Sequence, residues 1–189
     1  MDEDTDLISR LKAGEEAAFK SLFDLYKSMV YNTALGFLPN KSDAEDITQE
    51  VFIQVFRSIS QFKEESKLST WIYRITITKC LDQIRKRKAK KRFAFFTDIF
   101  HKDENSDEMF INYDHPGIEA EKNEMAVILF KTIEKLPDNQ RIAFILSKVE
   151  KKSSKEIAKV MEITVSSVES LIFRAKGNLK KRLEGYYSS

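Results

Sequence analysis

Eight lysines and arginines crowd residues Lys79 to Arg92 against one acid, Asp82, a local net charge of +7. From Lys148 to Arg182 ten cations face four acids, a net of +6, and His101 to Glu124 between them carries −6. The whole-chain charge of +2 hides this separation. One charge run usually means a solvated face. Two basic clusters around an acidic connector suit a polyanion met at two surfaces. The second cluster also holds Ser166, Ser167, Ser170, Phe173, Arg174 and Lys176 on one stretch, hydroxyls and long cations suited to groove edges and phosphates. The chemistry on offer is binding. No nucleophile sits in a recognisable turn and there is no glycine-rich phosphate loop. His101 and His115, fourteen residues apart, do not make a metal site, and no cofactor is expected.

The elements that must position these residues read as helices. Gly (5) and Pro (3) are scarce among 189 residues, and apolar positions recur at helical spacing. Leu7, Ile8 and Leu11 mark a first helix ending near Gly14. Phe19, Leu22, Phe23, Tyr26, Met29 and Val30 mark a second, broken at Pro39 and Asn40. Ser42 with Glu45 has the capping-box pattern, and Ile47, Val51, Val55 and Ile59, with Phe52 and Phe56 beside them, form the buried face of a third. A fourth starts near Thr70. Its Ile/Thr-rich opening, WIYRITIT, has competing strand propensity, but LDQIRKRKAKKR behind it is helix-forming. Phe93 to Pro116 has no steady period, so a domain boundary falls there.

The second domain begins near Ile118. Pro137 suits a first helical turn, and Ile142, Ile145, Leu146 and Val149 form one face. Ser153 with Glu156 repeats the capping-box pattern and opens a helix-turn-helix. Ile157 and Met161 face inward, Ala158 is small at the crossing, and Ile163 plugs the turn. Val168, Leu171 or Ile172, and Ala175 anchor the second helix, the one that enters the major groove in this motif. Glu162 occupies a turn position where glycine is common. Glu169 puts a negative charge on the outer face or caps the helix through Thr164 or Ser166.

Hydrophobic residues at 42 % allow a packed core. The single cysteine, Cys80, excludes an internal disulfide and suits a reducing cytoplasm. The acidic start, MDEDTDLISR, has no apolar core of a signal peptide, and no apolar run is long enough for a membrane helix.

Taken in order, DAEDITQEVFIQVF (Asp43–Phe56), STWIYRITITKCLDQIRKRK (Ser69–Lys88) and LPDNQRIAFILSKVE with the helix-turn-helix behind it resemble the extracytoplasmic-function group of sigma-70-type sigma factors. The resemblance implies an all-α chain of two small helical domains joined by a flexible linker: region 2 at 6–92, an acidic and aromatic linker at 93–117, and region 4 at 118–184. It also implies core RNA polymerase, promoter DNA and an anti-sigma factor as partners, and no bond chemistry. Asp43, Glu45, Asp46, Gln49, Glu50 and Gln54 would face the polymerase, although a helix N-terminus explains Asp43 and Glu45 as well. Phe62, Lys63, Ser66 and Lys67 would line a pocket for a flipped minus-ten base. Trp71 would wedge against the bubble or lie in the core, and Arg74, Lys79, Arg85, Lys86 and Arg87 would hold phosphates. Ser166, Ser167, Ser170, Phe173, Arg174 and Lys176 would meet the minus-35 element. Where relatives carry basic residues in this helix, Glu169 and Leu171 stand instead. Two rival readings remain at this point: an autonomous dimeric helix-turn-helix regulator, and a helical adaptor with incidental basic patches.

Overall fold

The computed structural model describes residues 3–38, 40–100 and 120–187, with side chains described for 5–38, 40–90 and 127–184. The described residues are helical, joined by short turns, with no strand. Helices α1 (Glu3–Lys12), α2 (Glu16–Phe37), α3 (Lys41–Ser58) and α4 (Leu68–Phe100) build the N-terminal half, with a 3-10 turn at Ile59–Gln61. Helices α5 (Ala120–Glu134), α6 (Asp138–Lys148), α7 (Ser154–Met161) and α8 (Val165–Tyr187) build the C-terminal half. Residues 101–119, which include linker positions 101–117 with His101, Phe110, Tyr113 and His115, lie outside the described residues, as does Pro39.

The helical stripe Ile47, Val51, Val55 and Ile59 is buried as its spacing demands. Phe56 is not: it stands 61 % exposed, with its ring 4.6 Å from that of Phe19. The cap of α3 also differs from expectation. Asn40, not Ser42, caps it, accepting from the Asp43 N–H at 2.7 Å and returning a bond to the Asp43 carboxylate at 2.9 Å. The chain turns out of its extended stretch at Asn40, so the helix has already begun when it reaches Ser42.

WIYRITIT is helical. Ile72, Tyr73, Ile77, Cys80, Leu81 and Ile84 are buried along α4, which decides against a strand. Thr76 and Thr78 donate their hydroxyls to the carbonyls of Ile72 and Arg74, both at 2.8 Å, so the threonines stay within the helix ladder. The helix does not stop among the basic residues; it continues to Phe100, eight residues past the expected boundary at Arg92. Burial pushes the Cys80 thiol well above its ordinary pKa, which makes it a packing residue.

In the C-terminal half Pro137 is the residue before α6 rather than its first member. The Ser153–Glu156 capping box is complete: the Ser153 hydroxyl accepts from the Glu156 N–H at 3.3 Å and the Glu156 carboxylate accepts from the Ser153 N–H at 2.9 Å. Such a cap stabilises an eight-residue helix by about 1 kcal/mol. Arg141 is 1 % exposed and has turned back on the end of α5, donating to the carbonyls of Ile133 (3.2 Å), Glu134 (2.7 Å) and Leu136 (2.9 Å). Burial lowers its pKa, opposed by Asp138 and Glu134.

The two halves touch. Arg74 of α4 donates to the carbonyls of Val160 (3.1 Å) and Lys159 (2.6 Å) at the end of α7. The Tyr73 hydroxyl donates to Glu150 at 3.0 Å, and the Lys152 ammonium lies 5.3 Å from the Tyr73 ring centre. Burial raises the Glu150 pKa, with Tyr73, Thr33 and Lys152 pulling the other way.

Candidate nucleic-acid and polymerase interface

The helix-turn-helix is built as its sequence requires. Ile157, Ala158, Val168 and Ala175 are buried where α7 crosses α8, while Met161, Ile163, Leu171 and Ile172 are half-buried beside them. Both Leu171 and Ile172 thus share the anchoring. Glu162 sits in the left-handed region at φ 57°, ψ 41°, and its N–H and that of Ile163 both return to the Ala158 carbonyl. For a residue with a Cβ this conformation costs about 1–2 kcal/mol.

Thr164 performs the capping of α8, accepting from the Ser167 N–H at 3.2 Å, with its hydroxyl 2.8 Å from that of Ser167. Ser167 is therefore partly occupied by the turn. Ser166, Ser170, Phe173, Arg174 and Lys176 are exposed, and Phe173 stands out at 79 %. Glu169, Ser170, Phe173 and Arg174 border one shallow open depression on this face. Since Thr164 caps the helix, Glu169 has no capping role, and its carboxylate has no hydrogen bond or ion pair among the described residues. Lining up Ser166, Glu169, Ser170 and Phe173 at helical spacing makes Glu169 the centre of the outer face.

The minus-ten set divides. Phe62 is buried, with its ring 5.0 Å from that of the half-buried Trp71. Lys63 and Lys67 are exposed around them, and Ser66 is half-buried. Most of the cations are already engaged. Arg74 pairs with Glu162 at 2.9 Å, Lys79 with Glu50 at 3.1 Å, and Arg85 with Asp82 and Asp138, both at 3.2 Å. Arg87 lies between Asp43 (3.6 Å) and Glu134 (3.4 Å). Lys86 is exposed.

The same ion pairs tie down two of the residues expected to face the polymerase, Asp43 and Glu50. Glu45, Asp46 and Gln49 are exposed and Gln54 is half-buried. Sequence reasoning missed what continues this surface. Ile53, 50 % exposed, and Phe56 follow Gln49 along the outside of α3, and Phe23 of α2 is also exposed, its ring 4.8 Å from that of Phe52. Phe23, Ile53 and Phe56 thus put three large apolar side chains at the surface beside this acidic face.

Comparison with known proteins accounts for both halves. The family described as Sigma-70 region 2 matches residues 22–90, and that described as Sigma-70, region 4 matches residues 126–179. The ECF RNA polymerase sigma factor SigW of Bacillus subtilis is 32 % identical over 180 residues, 93 % of this chain and 94 % of that protein. The ECF RNA polymerase sigma-E factor of Haemophilus influenzae is 32 % identical over 184 residues, 96 % of this chain and 95 % of that one. Among solved structures, CnrH in complex with the cytosolic domain of CnrY superposes with a TM-score of 0.68 at 21 % identity, covering 97 % of this chain and 99 % of CnrH. With a capped helix-turn-helix at one end, a cationic helix beside an acidic one at the other, and relatives alike over nearly their whole length, the chain belongs to the extracytoplasmic-function family of RNA polymerase sigma factors.

Proposed function

We propose that this chain brings core RNA polymerase to promoters by reading a minus-35 element with α8 and capturing an opened minus-ten element around α4. Residues 6–92 form the polymerase and minus-ten unit and 118–184 the minus-35 unit. The carrying observation is the outer face of α8, which is held rigidly by two caps and the packed turn yet leaves Ser166, Ser170, Phe173 and Arg174 exposed. Promoter opening is then the conversion of binding free energy into unstacking, a few kcal/mol per base step. Asp46, Gln49, Ile53 and Phe56 form the face offered to the polymerase. The bound states of CnrH with CnrY and of RpoE with the anti-sigma factor NepR from Bartonella quintana support an anti-sigma factor as a further partner. No described helix is long and apolar enough to cross a membrane, and a protein working on RNA polymerase acts in the cytoplasm. The dimeric regulator is set aside, because such a protein has no use for a region 2, which this chain matches over 22–90.

Arg174→Ala tests the assignment. Transcription from a cognate promoter by the reconstituted holoenzyme should fall about tenfold, the worth of one lost charge-assisted contact. Core affinity in the same preparation should be unchanged. Loss of core binding would overturn the assignment of α8 to DNA.

Glu169 gives the minus-35 reading its individual character. A carboxylate only accepts, and among base edges in the major groove it suits the cytosine amino group. Glu169→Gln adds a donor at equal length and should shift the base chosen there from cytosine toward adenine, by about tenfold. Selection from a promoter library randomised over the minus-35 element measures it. An identical base profile for both proteins would remove Glu169 from the reading face.

A further inference from the structure

We propose that Lys12 and Glu64 are positioning residues for base selection at the minus-ten element: their ion pair pins the tip of the loop between Phe62 and Leu68 to the end of α1. This rests on the minus-ten reading given above and brings α1 into it.

The loop is anchored at both ends and tied at one point between them. Phe62 and Leu68 are buried, while Lys63, Glu64, Glu65 and Lys67 are exposed. Its backbone hydrogen bonds lie at the ends. The Phe62 N–H donates to the Ile59 carbonyl at 3.1 Å, and the Lys67 carbonyl accepts from the Trp71 N–H at 3.2 Å. Among the described residues, Glu64 is the one side chain of 63–67 that bonds outside the loop, accepting from the Lys12 ammonium at 2.5 Å.

Lys12 is a firm post. It is the last residue of α1, next to the buried Leu11 and one turn after the buried Ile8. Arg10 bonds Glu15 at 2.8 Å across the turn that follows, and Gly14 makes that turn at φ 81°. Helix α1 also packs on the 3-10 turn Ile59–Gln61 that leads into the loop.

The residue type at 64 points to placement rather than stability. Glu64 holds φ 60°, in the left-handed region where glycine is favoured. The strain of a side chain there is larger than what one exposed ion pair returns. Glycine would therefore suit the stability of the loop better, but it would leave the tip untied. A glutamate held in strain beside a recognition pocket supplies position instead. The pair also occupies a carboxylate that would otherwise stand among the loop cations. Lys63 and Lys67, which make no side-chain bond among the described residues, stay available for phosphate. A loop ordered before the base arrives loses little freedom on capture. Base preference is a difference between affinities, so a loop free to drift admits the wrong base more readily.

The test uses reconstituted holoenzyme and a promoter library with a fixed minus-35 element and a randomised minus-ten element. Lys12→Glu and Glu64→Gly should each lower the preference at the most strongly selected minus-ten position about two- to fivefold, the worth of one exposed pair. Lys12→Glu combined with Glu64→Lys restores the attraction in reverse and should return the preference to within about twofold of the unaltered protein. Glu64→Gly also relieves the strain, so its melting temperature should be unchanged or higher while its base preference falls. A merely structural pair would make both fall together. Core affinity should be the same in all of these proteins. A sharp base profile that neither single variant alters overturns the pinning, and so does an exchange that restores nothing. A flat profile already present in the unaltered holoenzyme overturns the minus-ten reading itself, so the two failures are distinct.

Discussion

Replacing Arg141 by alanine should lower the stability of the C-terminal half by about 3 kcal/mol or more. The side chain is almost wholly buried and is the donor for three carbonyls, those of Ile133, Glu134 and Leu136. The Glu134 carbonyl ends α5 and the Leu136 carbonyl lies in the turn behind it, while that of Ile133 also accepts from the Leu136 N–H at 3.0 Å. Alanine removes the donors and leaves the acceptors in place, the costly side of the hydrogen-bond asymmetry. Arg141→Lys should recover only part of the loss, because an ammonium cannot reproduce the guanidinium fork that reaches three carbonyls at once. Urea unfolding followed by circular dichroism, with hydrogen exchange in α6 to α8, measures both. Core affinity should survive, since the hydrogen bonds and ion pair of Arg141 join α5, α6 and the turn between them and none reaches α3. A loss under 1 kcal/mol would mean that water takes over the three carbonyls.

The other large effect concerns the apolar part of the face on α3. Ile53→Asp with Phe56→Asp should weaken binding to core RNA polymerase about 100-fold, with each anchor worth on the order of 1–2 kcal/mol at a buried contact. Both side chains are at least half exposed in the free chain, so helicity should persist. Phe56 does pack on Phe19, and a thermal melt separates that small local cost from the interface. Asp46→Lys with Glu50→Lys should act less strongly, since charges at a rim set encounter more than affinity. Equal core affinity in the charge variant would return the acids to a helix-terminus role. Equal affinity in the apolar variant would remove this face from the polymerase contact altogether.

The helix-turn-helix was legible in the sequence because its constraints are local. A capping box, a small residue at a crossing and buried positions at helical spacing are fixed by neighbours within a turn or two, and Ser153, Ala158, Val168 and Ala175 stand where their types predict. Phe56 was misplaced for the opposite reason. Periodicity identifies the stripe of α3 but not how far its neighbours cover the flanks, so Phe52 is half-buried while Phe56 is mostly exposed. The cap at Asn40 was hidden because a start signal at Ser42–Glu45 has the same form, and only the path of the preceding chain decides between them. Arg141 was hidden because a cation within a polar run looks solvated. Its role needs the end of α5 to be in view.

The candidate site was legible as a set of types and not as a set of free groups. Arg74, Lys79, Arg85 and Arg87 were named from charge and order, and the fold shows each already holding a carboxylate. Glu162 was legible as a strained residue, while its ion-pair partner, Arg74, lies 88 positions away in sequence.

The pairing of Phe62 with Trp71 gives the molecule its own optical gauge. The chain has a single tryptophan, so its emission comes from one indole, half sheltered by a phenyl ring at the mouth of the loop from Phe62 to Leu68. A nucleobase sliding between those rings would quench that light, and parting them would redden it. Loop events can therefore be timed in a stopped-flow instrument with no dye attached.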